Sequence, residues 1–208
     1  DAQESRGLGD VYKRQVGVTM HILMCNDDGI LADGLRRLAS YLSLYYRITV
    51  VAPANEQSAK SHALTTEIPL KLDAYNGEDE NPRLYALTGT PSDCLKFGLS
   101  YLLSDDMPDL VISGINHGFN LGSDVLYSGT VSAAMESCFY GIPGLALSVE
   151  RYSPERGDEM HPFIHELIEK IYVKGNFDGL LNVNFPLRGV CDWDHFKMVS
   201  QGLQTYSN

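Results

Sequence analysis

Two carboxylates, Asp27 and Asp28, stand side by side in the stretch "HILMCNDDGI" (residues 21–30), after an apolar run and before a glycine. Like charges at one site repel and disturb each other's ionisation, so the pair calls for a positive partner. A divalent cation fits. Magnesium or manganese takes hard oxygen ligands in near-octahedral geometry, and magnesium usually keeps several waters. Asn-Asp-Asp-Gly is also ordinary turn chemistry; its placement at the end of a buried strand favours the cation. Gly29 lets the backbone pass close to the ligands.

Three other clusters carry compatible chemistry. "NEQSAKSH" (55–62) offers a hydroxyl ligand from Ser58 or Ser61. "SGINHGFN" (113–120) offers Asn116, whose amide oxygen extends an oxygen shell without adding charge, and Asn120, suited to a phosphate or a ligand water. "YSGT" (127–130) runs into "VSAAMES" and reads as an anion site, because amides at a helix N-terminus point outward and the dipole favours negative charge. Ser128 and Thr130 add hydroxyl donors there, Gly129 allows close approach, and Thr130 also suits the helix cap. His62 and His117 lie in these loops, where a histidine can meet a phosphate or move a proton. His161 and His165 are spaced i, i+4, but no H-E-x-x-H frame surrounds them and they do not read as zinc ligands. Neither a P-loop nor a G-x-G-x-x-G fingerprint is present.

The elements that must position these residues alternate. A strand beginning at Met20 is followed by the helix "DGLRRLASYLSLYY", with Leu35, Leu38, Ala39 and Leu42 on one face. "RITVVAP" is a second strand. "ALTTEIPLKLDAY" and "RLYALTGT" suggest a hairpin across the acidic loop "NGEDENP". Thr90-Pro91 with Asp93 announces the helix "PSDCLKFGLSYLL". "PDLVISGIN", "IPGLALSV" and "GLLNVNFP" are further strands, interleaved with helices opening at Thr130 and at Met160. Strands alternating with helices predict right-handed crossovers and a Rossmann-like, doubly wound, mostly parallel α/β sheet with helices on both faces. Ligands in such folds sit beyond the carboxyl ends of the strands, where all four clusters fall.

The 208 residues, 44% hydrophobic and 21% charged, suit a single globular domain. A net charge of -11 argues against general binding to a nucleic-acid polymer. The four cysteines are far apart in sequence and read as free thiols in a reducing, cytoplasmic compartment. No apolar run approaches the ~18 residues of a membrane span. Residues 1–19 lack the apolar centre of a signal peptide and read as an extraneous tail, with the domain over 20–208.

"ILMCNDDGI", "VVAPANEQSAKSHALT", "GTPSDCLKFGL", "DLVISGINHGFNLGSDVLYSGTVSAAME" and "GIPGLALS" resemble the SurE family of nucleotidases, in family order and spacing. The resemblance is dense from residue 20 to about 150 and weaker to about 200. It implies a divalent-metal-dependent phosphatase acting on nucleoside 5′- and 3′-monophosphates, some members also cutting short polyphosphate. It implies one magnesium or manganese ion per subunit and a homodimer or homotetramer. On this sequence it gives Asp27, Asp28, Ser58 and Asn116 as metal ligands, Asp27 and Asp28 as the catalytic pair, and Asn120, Ser128, Gly129 and Thr130 around the phosphate. Asp33 stands where the family usually has proline, and Ser137 where it often has glycine. The chain stops near where the family's C-terminal arm begins, and so reads as a fragment.

Two other readings share the acid pair. A phospho-acceptor receiver domain would end its third parallel strand in Asp, where this chain has Asn116, and a late strand in Lys, which "GLALSVERY" lacks. A sugar-nucleotide binder would split its acids as D-x-D.

Overall fold

Every apolar run that ends in a polar cluster becomes a strand of one sheet. The computed structural model describes residues 19–57, 62–77 and 79–203. In chain order the strands are β1 (His21–Cys25), β2 (Arg47–Pro53), β3 (Leu72–Ala74), β4 (Arg83–Leu87), β5 (Leu110–His117), β6 (Gly144–Val149) and β7 (Leu180–Phe185). The helices are α1 (Asp33–Leu42), α2 (Pro91–Phe97), α3 (Gly129–Phe139) and α4 (Pro154–Leu167). The sheet order is β3-β4-β2-β1-β5-β6-β7, with β3 alone antiparallel. The fold is thus the Rossmann-like, mostly parallel α/β architecture that the alternation predicts. The predicted tail falls almost wholly outside the described residues, and β1 begins one residue after Met20.

β1 is buried on both sides, as a central parallel strand must be. Ile22 and Met24 pack with α1 and α4, while Leu23 and Cys25 pack with α2 on the opposite face. The chain leaves β1 towards β2 and β4, then returns to place β5 on the other side of β1. The strand order therefore reverses between β1 and β5, and the crevice beyond their carboxyl ends is where an α/β sheet binds ligands.

Some element expectations need correction. The hairpin is short: only Leu72–Ala74 pairs with β4. α3 opens at Gly129 with Ser128, not Thr130, as its cap. α4 opens at Pro154 rather than Met160, because Ser153 caps it by accepting from the Arg156 amide and Pro154 takes the first turn; Pro162 lies inside the helix. α2 and α4 each continue as a π-helical turn, Gly98–Leu102 and Ile168–Lys174.

The handedness expectation fails at one crossover. α4 packs on the α1 face, whereas α3 packs on the α2 face. Since β5, β6 and β7 follow one another in the same direction, the β6–α4–β7 crossover has the opposite hand to β5–α3–β6. One face of β7 explains the placement: Leu181, Val183 and Phe185 are buried in the α1–α4 core, with Phe163 edge-on to Phe185.

Candidate active site

The loop after β1 is a turn, and the turn is what frees the acids. Asn26, fully buried, closes it by itself: its Oδ1 accepts from the Gly29 amide at 3.1 Å and its Nδ2 donates to the Gly29 carbonyl at 3.1 Å. Gly29 sits at φ +100°, where a side chain is strained, and a Cβ there would lie 3.3 Å from the Pro53 carbonyl oxygen. That close approach brings the loop after β2 over the acids. The Ile30 amide donates to Pro53 O at 2.8 Å, and the Gln57 amide donates to Asp27 O at 2.7 Å. Ser58 and Ser61, the proposed hydroxyl donors, lie outside the described residues.

On the other side of β1, β5 delivers Asn116. Its pairing with β6 shifts register between Ser113 and Asn116. Gly114 occupies the irregularity at φ +137°, and a Cβ there would collide with the Leu147 carbonyl oxygen. The Asn116 Nδ2 donates to Gly118 O at 2.8 Å, which fixes the amide and leaves its oxygen as the end suited to a cation.

The N-terminus of α3 meets Asp27 directly. Thr130 is fully buried, and its Oγ1 donates to Asp27 Oδ1 at 2.8 Å. A Cβ on Gly129 would sit 3.1 Å from Asp27 Oδ2, so the absence of a side chain there sets the spacing between helix and acid. Ser128 Oγ accepts from the Val131 amide at 3.1 Å. The amides of Gly129 and Thr130 cannot reach a helical carbonyl and remain the donors of this helix end. The Thr130 hydroxyl, expected near a phosphate, is thus committed to the acid pair, and its amide is the group left for an oxyanion.

Asp27 is buried, with 7% of its surface exposed. Burial pushes its carboxyl above the ordinary range, against the Thr130 hydrogen bond that favours its charge. Asp28 is pushed up to about 6 by burial first, then by the charges of Asp27 and Glu56, with His117 opposing. Among the described residues no Lys or Arg forms an ion pair with either acid. Nor do three or more His, Cys, Asp or Glu there gather into a metal cluster. Two adjacent carboxylates without a cationic partner among the described residues suit a hard cation that keeps several waters.

Asn120 is almost fully buried and tightly held: its Nδ2 donates to Ser148 Oγ at 2.8 Å, and its amide donates to Asn184 Oδ1 at 2.8 Å. The other candidates divide. His117 is exposed at the end of β5, and its charge acts on Asp28. His62 points elsewhere, its Nε2 2.6 Å from Glu136 Oε2 and its ring stacked on Phe139. His161 and His165 pack against Tyr41 and Tyr45, and His165 Nδ1 is 2.9 Å from the Tyr46 hydroxyl. A cleft of ≈ 540 Å³ near Tyr45, Asn81, Arg47 and Arg83 opens at the amino ends of β2 and β4, away from Asp27. There Arg47 pairs with Asp106 and Arg83 donates to Thr49.

The chain as a whole has known counterparts. The family described as "Survival protein SurE" matches residues 22–208. The chain belongs to the SurE family. The protein named 5′-nucleotidase SurE from Thermoanaerobacter sp. (strain X514) is 49% identical over 168 residues, which cover 80% of this chain and 66% of that relative. The chain thus spans about two thirds of the length of such SurE relatives. The one from Thermosipho melanesiensis is 42% identical over 191 residues, covering 91% of this chain and 74% of its own. The crystal structure of the SurE protein from Aquifex aeolicus matches with a TM-score of 0.76 at 35% identity, over 90% of this chain and 74% of that one.

The turn that Asn-Asp-Asp-Gly suggests is present and is closed by Asn26; sequence reasoning missed Asn182 and Asn184, which hold Asn120. The signal for these two was present in "NVNF": two amides at alternate positions of an otherwise apolar strand.

Proposed function

We propose that this chain is a divalent-metal-dependent phosphatase that hydrolyses nucleoside 5′- and 3′-monophosphates to nucleoside and phosphate. The observation that carries the reading is the acid pair of buried Asp27 and half-buried Asp28, with Asp27 abutting the N-terminus of α3 and no cationic side chain paired to either acid among the described residues. The name 5′-nucleotidase carried by its SurE relatives supports the 5′-monophosphate class; the 3′-monophosphates rest on the sequence resemblance.

Asp27, Asp28, Ser58 and Asn116 would hold one magnesium or manganese ion per subunit. When bound, the ion supplies charge neutralisation at the phosphoryl group and acidifies water. The chain's own groups do the rest. The Gly129 and Thr130 amides, the Ser128 hydroxyl and the Asn120 side chain, through the Nδ2 hydrogen that Ser148 does not take, hold the phosphoryl oxygens, helped by the α3 dipole. Asp27 or Asp28 takes a proton from the attacking water, whose oxygen bonds to phosphorus as the ester P–O bond breaks; the leaving nucleoside oxygen takes up a proton from solvent and departs as the alcohol, and the aspartic acid then returns its proton to solvent. The Thr130 bond keeps Asp27 oriented for this role. Direct attack by an aspartate is the alternative route, and trapping a covalent phosphoenzyme would favour it over water.

The whole protein acts, on this reading, as a cytoplasmic homodimer or homotetramer. The four free cysteines support a reducing compartment, and among the described residues no helix is long and apolar enough to cross a membrane.

The test is phosphate release from a panel of 5′- and 3′-mononucleotides and short polyphosphate with manganese or magnesium. Release from both mononucleotide classes is expected. Release from neither, by folded protein, overturns the reading.

A further inference from the structure

The asparagines of β7 hold Asn120 more completely than any loop residue of an exposed edge would require. Asn184 Oδ1 accepts from the Asn120 amide at 2.8 Å. Asn182 Nδ2 and Asn184 Nδ2 both donate to the Asn120 carbonyl, at 2.9 and 3.1 Å. Asn184 Nδ2 also lies 3.4 Å from Asn182 Oδ1, tying the two amides together. Ser148 Oγ then accepts from the Asn120 side chain at 2.8 Å. Both backbone groups of one residue, and its side chain, are thus fixed by three side chains from two strands.

The crossover of reversed hand makes room for this. With α4 on the α1 face, the α3-side face of β7 is packed only at its start, where Leu180 meets Val131, Ala134 and Ala146. Asn182 and Asn184 follow at alternate positions on that same face. An asparagine on the polar face of an edge strand is ordinarily just solvated, yet here both amides turn onto one loop residue. Gly118 and Gly122 flank that residue at φ +110° and +53°, so its backbone would otherwise be free to move, and ordering it has an entropic cost.

We infer that Asn182 and Asn184 are positioning residues for phosphate binding, acting through Asn120. The inference rests on the proposed reading of Asn120 as a phosphate-binding residue. Neither amide belongs to the proposed metal ligand set, so the two should alter phosphate affinity and leave metal affinity unchanged. Mutating the outer-shell partners of metal ligands typically changes affinity or activity by about 10- to 100-fold, and an effect of that scale is expected here on phosphate.

The experiment compares the protein with Asn184→Asp, which keeps the acceptor for the Asn120 amide but loses the donor to its carbonyl, and with Asn182→Ala. Four quantities are read: KM for a nucleoside monophosphate, binding of inorganic phosphate by calorimetry, manganese affinity and the melting temperature. The expected result is KM and the phosphate dissociation constant raised together by about 10-fold, with manganese affinity within about 2-fold. Unchanged phosphate binding in both variants overturns the inference. So does a parallel loss of phosphate affinity, manganese affinity and melting temperature, the mark of a merely structural role. Phosphate binding needs no turnover. Protein that binds phosphate through this clamp but hydrolyses nothing would sink the proposed function and leave the inference standing; protein that binds no phosphate sinks the inference.

Discussion

Thr130 Oγ1 donates a 2.8 Å hydrogen bond to Asp27 Oδ1, joining the N-terminus of α3 to the loop after β1 across 103 residues of sequence. Both groups are buried, so the bond is strong and its loss expensive. It connects the acid pair and the anion-binding helix end into one unit.

Thr130→Val keeps the shape and removes the donor. An unpaired buried carboxylate oxygen should lower the stability of the metal-free protein by about 1–3 kcal/mol, and misorienting Asp27 should lower kcat by about 10- to 100-fold. Thr130→Ser, which restores the hydroxyl, should recover most of both. Urea unfolding and steady-state kinetics on the pair of variants check this.

Gly129→Ala tests the spacing between helix and acid. Alanine favours a helix interior over glycine by about 1 kcal/mol, but Gly129 is the first residue of α3 and displacing Asp27 disturbs its buried Thr130 bond, so the melting temperature should fall. The new Cβ, 3.1 Å from Asp27 Oδ2, must push the acid aside. The expected loss in kcat/KM is about 10- to 100-fold. Equal activity in the alanine variant would show that this spacing is not needed.

The division between what the sequence revealed and what it hid follows from range. Strands β1, β2, β5 and β6 were legible because central parallel strands read as apolar runs, and Thr90-Pro91 is a local cap signal that the structure reproduces, with Thr90 accepting from the Asp93 amide. The start of α4 has the same signal in Ser153-Pro154 but was hidden by Pro162, which lies within the helix. The acids and the α3 N-terminus were legible as separate motifs. That Thr130 serves Asp27, that His62 turns to Glu136, and that β7 clamps Asn120 depend on contacts between 62 and 103 residues apart. No local periodicity encodes these, nor does it encode the hand of the last crossover.

Asp28 makes the metal-free protein sensitive to pH. Its carboxyl, ordinarily near 3.8, is pushed up to about 6 in the folded state by burial and by Asp27. Across that window the folded chain holds a proton that the unfolded chain has lost, so stability falls as pH rises, and the loss is complete above it. Asp28→Asn removes the effect. Discounted for partial exposure, the gain near neutral pH is on the order of 1–2 kcal/mol, or roughly 2–8 °C in Tm. Saturating manganese should reverse the order, stabilising the native protein more than the variant. Thermal melts with and without manganese, across pH, check both halves.

The most direct measurement is the initial rate of phosphate release from a nucleoside 5′-monophosphate, taken with manganese, with chelator, after manganese is restored, and again with Asp27→Asn. A rate that vanishes with chelator, returns with the metal and is absent in the folded variant is the predicted result. A rate indifferent to chelator, or retained by Asp27→Asn, would contradict the assignment of the acid pair as the metal-dependent centre.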